Sequence, residues 1–231
     1  METSLNMLGT KIEENHWAFP DKTKIAGHYT CLEPLSLDHH ADLWAAVKTA
    51  PESFTYLRYG PFETCDALTT LLTELSSRSD QPFWAVTGQD GRAQGWLSIC
   101  DVYQDDGAFE IGSIWFSPSL QGTCEAREAI FLLMCLGLDT LGYERLVWRC
   151  QAQNDKSFQA AKKMGFVHEG TWRNAAVIDG WQRDIAWFSI LRDEWPRCKS
   201  AFLKWLAKEN FDASGKQKFR LQDIRKKLSQ T

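Results

Sequence analysis

Residues Phe109–Ile130 read "FEIGSIWFSPSLQGTCEAREAI", and this stretch commits the chain to one local geometry. A strand-like run, Phe109–Phe116, ends at Ser117-Pro118. A few residues later a helical pattern begins, with Ala126, Ile130, Leu133, Met134 and Leu138 on one face and Gly142 as its stop. The turn between them carries no bulky apolar side chain after Leu120. It therefore presents backbone rather than side chains at the start of a helix. Such a turn is either a plain connection or a place where an anion meets free N–H groups and the positive end of the helix dipole. The residues alone leave both readings open.

The flanking pattern fixes the fold class. "PFWAVTG" and "AQGWLSICDVY" are joined by "QDGR", a hairpin turn centred on Asp90-Gly91, and "DDG" leads on to the Phe109 strand, giving an antiparallel meander. Ahead of it come one strand at His28–Leu35 and two helices, the first opened by Ser36 or Asp38 and the second capped near Thr64. After it come a helix over Glu125–Leu141, a strand "RLVWRCQ", a short helix from an Asn154 or Asp155 cap to a Gly165 stop, two strands around Asp179-Gly180, and a last amphipathic helix. This order predicts a mixed α+β fold with helices on a central sheet. Residues 1–27 read as a loose N-terminal arm, 28–192 as the domain, and 193–231 as a helical extension with a basic tail.

Composition narrows the function classes. Over 231 residues, 44% hydrophobic and 24% charged content supports a sizeable core and excludes global disorder. A net charge of -4 argues against a general nucleic-acid binder. Residues 212–231 nevertheless hold six cations against Asp212 and Asp223, or +4, which reads as a solvated terminal helix; an RNA-binding tail is the competing reading. Seven scattered cysteines, with no C-x-x-C and no Cys/His spacing of zinc type, read as free thiols in a reducing compartment and predict no metal. With no signal-like N-terminus and no apolar run of membrane-spanning length, the expected location is cytoplasmic.

Two later motifs decide the turn. They are "N-D-K-S-F-Q-A-A-K-K-M-G-F" from Asn154 to Phe166, and "H-E-G-T-W-R" from His168 to Arg173. Here the sequence resembles the GNAT superfamily of acetyl-CoA-dependent N-acetyltransferases, nearest its RimJ/RimL-like branch, over about residues 28–192. The family's N-x-x-S-x-x-x-A-x-x-x-G-F pattern is matched by Asn154, Ser157, Ala161, Gly165 and Phe166. Its Gln/Arg-x-x-Gly-x-Gly/Ala diphosphate loop is matched at Gln121 and Ala126, with Cys124 replacing the middle glycine, a departure compatible with the loop only if Cys124 avoids positive φ. The resemblance implies a twisted, mostly antiparallel sheet of about seven strands, splayed between the fourth and fifth. It implies acetyl-CoA held by Trp115, Phe116, Ser117, Gln121, Gly122, Thr123, Cys124, Glu125, Ala126, Asn154 and Ser157. It also implies a backbone N–H near Ile114 or Trp115 that polarises the thioester, and Ser157 as proton donor to the leaving thiolate.

A neutral amine is needed for attack, so Glu110 on the meander strand is the candidate general base, on the same face as Phe116 if no bulge intervenes. Tyr59, Trp96, Trp172, Arg173, Trp181 and Asp184 are the candidate walls of the acceptor groove. The acceptor is a protein N-terminus or a small amino compound, with monomer and homodimer both open. A non-catalytic acyl-CoA-binding module on the same fold is the alternative, kept in view by Cys124 and Arg127.

Overall fold

The computed structural model describes residues 9, 11–13, 16–213 and 215–229; residues 1–8, 10, 14 and 15 of the expected arm lie outside them. The meander forms as expected. β3 (Phe83–Thr87), β4 (Ala93–Tyr103) and β5 (Ala108–Phe116) are successive antiparallel neighbours. β2 (Cys31–Pro34) pairs with β3, and a two-residue strand, β1 (Ile25–Ala26), adds itself outside β2. β6 (Arg145–Gln151) runs parallel to β5, and β8 (Trp181–Leu191) lies between β6 and β7 (Val167–Ile178). The sheet therefore has eight strands in the order β1-β2-β3-β4-β5-β6-β8-β7, one more than the expected seven. The expected fourth and fifth strands are β5 and β6.

The helices start where their caps are. Thr64 accepts from the Ala67 N–H to open α2 (Cys65–Ser77), and Asn154 accepts from the Ser157 N–H to open α4 (Asp155–Met164). Gly165, at φ 114°, takes the left-handed position that ends α4. Ser36 and His39 form a reciprocal cap ahead of α1 (His40–Val47). The helix expected over Glu125–Leu141 is α3 (Cys124–Cys135) followed by a wider π-type turn, Leu136–Thr140. The reason is packing: a Cβ on Gly137 would sit 1.9 Å from the Phe109 ring, so the strand presses directly on backbone there.

The two faces of the sheet are covered unequally. On one face, α3, α4 and α5 (Trp195–Leu206) bury a core that includes Phe109, Ile111, Leu146, Trp148, Phe188 and Phe202. On the other, α1 and α2 bury Leu43, Leu68 and Leu72 against Phe83, Ala85, Trp96 and Trp115, and no residue of β6, β7 or β8 joins that cluster. The described parts of the terminal segments, from Trp17 and up to Ser229, are built in rather than loose. Trp17 is buried and donates to the Gly142 carbonyl at 2.8 Å, which corrects the reading of residues 1–27 as a loose arm from Trp17 onward. The basic tail also packs: Arg225 of α6 (Leu221–Lys227) donates to the Lys162 and Lys163 carbonyls at the end of α4, both at 3.1 Å.

Candidate active site

The ladder between β5 and β6 is short. It pairs Ala108, Phe109 and Glu110 with Arg145, Leu146 and Val147 and then stops. β5 continues to Phe116 paired only with β4, and β6 continues to Gln151 paired only with β8. Facing backbone edges are thus left without strand partners, the arrangement into which an amide-bearing chain can add as a further strand.

At the far end of β5 lies the bare turn. Thr123 caps α3 by accepting from the Ala126 N–H at 3.2 Å, and Gly122 takes the left-handed position at φ 79°. Cys124 keeps negative φ, so the loop geometry tolerates it in place of the family's middle glycine. The N–H groups of Gly122, Cys124 and Glu125 donate to no protein acceptor among the described residues, and a Cβ on Gly122 would meet nothing within 4 Å. Uncommitted donors, open space and a helix N-terminus suit a diphosphate. Gln121 folds back, its side-chain amide donating to the Phe116 carbonyl at 2.9 Å, so it shapes the turn. Ser117 also works within the turn, bonding Ser119 at 2.9 Å, and Ala126 is buried beneath it. Burial pushes the Cys124 thiol up to about 12, so it stays protonated at neutral pH.

Asn154 and Ser157 stand at the start of α4, next to the end of β6. Ser157 Oγ accepts from Trp148 Nε1 at 3.0 Å, which leaves its own O–H as a donor. Asn154 Oδ1 is spent on the Ser157 N–H at 3.1 Å, so its amide NH₂ is the group free to meet a ligand carbonyl.

Glu110 sits at the point where the strands separate, flanked by two bulges. Register slips in β5 between Gly112 and Trp115, where Ser113 has φ 50°, and in β4 between Cys100 and Tyr103, where Asp101 has φ 46°. The first bulge overturns the expected parity: Glu110 shares its face with Trp115, whereas Phe116 packs toward the opposite core. The second turns Asp101 toward Arg149 of β6, whose guanidinium binds both Asp101 and Glu110 Oε2. Burial pushes the Glu110 carboxyl up to about 8, with Arg149 acting in the opposite direction. The rise prevails because the loss of solvent around the buried carboxyl outweighs the Arg149 contact. Glu110 Oε1 lies beside Gly112, where a Cβ would come within 3.1 Å of it and 2.7 Å of Cys100 Sγ. The missing side chain leaves room beside that oxygen along the strand.

The expected acceptor residues divide into two groups. Trp96 is buried and stacks at 4.7 Å on Trp115, itself buried and expected at the coenzyme rather than the acceptor, with Trp96 Nε1 donating to Tyr59 Oη and Trp115 Nε1 to Ser53 Oγ. Their indoles are therefore core, not groove wall, because each N–H already has a buried partner. Tyr59 Oη in turn donates to the Ser113 carbonyl at 3.3 Å, while Tyr56 Oη donates to the Gln153 carbonyl at 3.0 Å. The 56–59 segment so bridges the ends of β5 and β6. On the hairpin beyond, Trp172 and Trp181 are 60% and 66% exposed, open to a ligand. Arg173 is exposed beside Trp172, and Asp184 is committed to the Asn174 N–H at 2.7 Å rather than to Arg183.

Sequence reading missed Arg149, Gln151 and Trp187. Arg149 stacks on Trp187 at 4.9 Å, and Trp187 stacks on Trp172 at 4.4 Å, making a row from the surface to Glu110. Gln151 Oε1, Trp187 Nε1 and Arg183 Nε are buried without partners, all on β6 and β8. The only signal in the sequence was a cation, Arg149, inside an otherwise buried strand.

Comparison with known proteins agrees with this fold. Residues 30–167 match the family described as Acetyltransferase (GNAT) domain. A crystal structure of a GCN5-related N-acetyltransferase from Brucella melitensis is 37% identical, with a TM-score of 0.90, covering 93% of this chain and 99% of that one. One of a probable GNAT-family acetyltransferase from Chromobacterium violaceum is 36% identical, with a TM-score of 0.75, over 81% and 95%. Among curated relatives, the putative ribosomal N-acetyltransferase YdaF of Bacillus subtilis is 26% identical over 46% of this chain, a match spanning only 57% of that relative's length. That name accords with the RimJ/RimL-like resemblance. The chain belongs to the GNAT acetyltransferase family.

Proposed function

We propose that this protein moves an acetyl group from acetyl-CoA directly to a primary amine, with both substrates bound at once. The observation that carries the proposal is continuous. The unpaired edges of β5 and β6 lead on one side to three free N–H groups at α3 and on the other to Glu110. In this reading the coenzyme's diphosphate rests on the Gly122–Glu125 turn, and its amide chain runs between the strand edges toward Asn154.

The amine gives up its proton to Glu110 Oε1 and its nitrogen forms a bond to the thioester carbon. Ile114 lies in the β5 bulge without a ladder partner, and its N–H is the candidate donor to the carbonyl oxygen as that oxygen gains charge. The C–S bond then breaks and the thiolate takes the Ser157 hydroxyl proton, which solvent returns to Ser157 as Glu110 releases the proton it took. Arg149 holds Glu110 in place and Trp148 orients Ser157. The acceptor enters between the 56–59 segment and the Trp172/Trp181 hairpin.

An amine panel read by thiol release tests the proposal: peptides with varied first residues, polyamines and aminoacyl adenylate mimics, each with acetyl-CoA. Amine-dependent thiol release from at least one class is the expected result. Saturable acetyl-CoA binding with no release toward any amine would instead favour the non-catalytic module.

A further inference from the structure

Beyond α5 the chain turns back on itself in a fixed shape. Buried Asn210 donates to the Trp205 carbonyl at 2.9 Å and the Phe219 carbonyl at 3.2 Å, and accepts from the Phe219 N–H at 2.9 Å. Phe211 bridges to Gln217, and the Asp212 N–H donates to the Lys216 carbonyl at 3.0 Å. The loop so formed faces the first turn of α3 across a cleft of about 580 Å³ that adjoins Gly122, Thr123, Cys124 and Glu125.

The cleft has two kinds of wall. One is aromatic: Phe211 meets Tyr29 edge-to-face at 5.8 Å and Trp205 at 5.5 Å. The other is cationic. The Arg127 guanidinium lies 4.7 Å from the Trp205 ring centre and 3.5 Å from Gln217 Oε1. Among the described residues no carboxylate pairs with it. Its pKa is lowered by burial, the mark of a cation short of a counter-charge. Lys208 adds a second cation at the rim, while Glu125 and Asp212 also line the cleft and oppose an extended polyanion. A flat ring joined to a compact phosphate satisfies both walls.

We propose that this cleft receives the nucleotide end of the coenzyme, the purine against Tyr29 and Phe211 and the ribose 3′-phosphate on Arg127 and Lys208. The inference rests on the acetyl-CoA reading above, because the cleft continues from the turn assigned to the diphosphate. It gives the C-terminal segment a role in coenzyme recognition rather than in RNA binding.

Calorimetric affinities for coenzyme A and 3′-dephospho-coenzyme A test it, in the full-length protein and in Arg127→Gln and Lys208→Ala. The wild type should prefer coenzyme A, and each variant should cut that preference about fivefold or more while binding the dephospho form as the wild type does. Should Arg127→Gln not fold, the exposed Lys208 position carries the same test. A wild type with no preference, or variants that keep the full preference, overturn this proposal alone. A wild type that binds neither compound overturns the acetyl-CoA reading and this proposal with it.

Discussion

The two halves of the sheet bear different loads. Under α1 and α2, the β2–β5 half is sealed on both faces, and its largest side chains, Trp84, Trp96 and Trp115, are fully buried with their N–H groups bonded. The β6–β8 half is sealed on one face only. Its other face carries Arg149, Gln151, Trp187 and the Arg145–Glu169 pair, with Glu110 at the border. Among the described residues, all three unpartnered buried polar atoms belong to this second half. Satisfied polar atoms rigidify, whereas unsatisfied ones hold binding capacity in reserve. The scaffold is therefore the covered half, and the chemistry is arranged where the cover ends.

That contrast is breakable by mutation. Trp115→Ala should cost the most, about 3–5 kcal/mol of unfolding free energy, since it opens a cavity beneath Phe54 and Trp96. Denaturant titration measures it, and a cost below about 1 kcal/mol would mean that the two halves share the load. Glu110→Gln should lower kcat/KM by about 10²-fold or more and abolish the limb that rises through pH 8 in the wild type. The sign follows from the raised pKa: below about 8 the carboxyl is protonated and cannot accept the amine proton. The same raised pKa makes its contribution to stability greatest below the ordinary carboxylate range and lost as pH rises through about 8, so Glu110→Gln should flatten the fall in melting temperature over that window. A limb unchanged in the variant would remove Glu110 from proton transfer.

Smaller effects sharpen the boundary. Ser157→Ala should lower kcat by about tenfold while leaving coenzyme affinity within about twofold. An unchanged rate would leave Ser157 with its structural part only, accepting from Trp148. Trp172→Ala should leave stability within about 0.5 kcal/mol, as an exposed residue, and raise the acceptor KM several-fold. A variant with wild-type KM would place the acceptor elsewhere.

How far the sequence could be read follows from the range of each interaction. The α4 caps, the Gly165 stop and the meander turns depend on residues a few positions apart, and the chain states them directly. The Ser113 and Asp101 bulges do not, because each is fixed by register against a neighbouring strand, and one residue of slip exchanged the faces of Trp115 and Phe116. Arg149 was missed for the same reason: its partners Asp101 and Glu110 lie on two other strands. Trp96 was read as a groove wall, yet an indole N–H is as well satisfied by a partner such as Tyr59 in a core as by a ligand. The N-terminal segment was misjudged because its anchors, among them Trp17 on Gly142 and Gln104, Lys22 on Ser76 and Thr23 on Trp84, are contacts far along the chain.

Gly122→Asp addresses the central assignment most directly. The position is open, its left-handed backbone is one that aspartate tolerates, and the new carboxylate would occupy and repel a diphosphate at the free N–H groups. Calorimetry with acetyl-CoA should show saturable binding to the wild type and a loss of about 100-fold or more in the variant, with the melting temperature within a few degrees. Equal affinity in the two folded proteins would contradict the placement of the coenzyme at this turn.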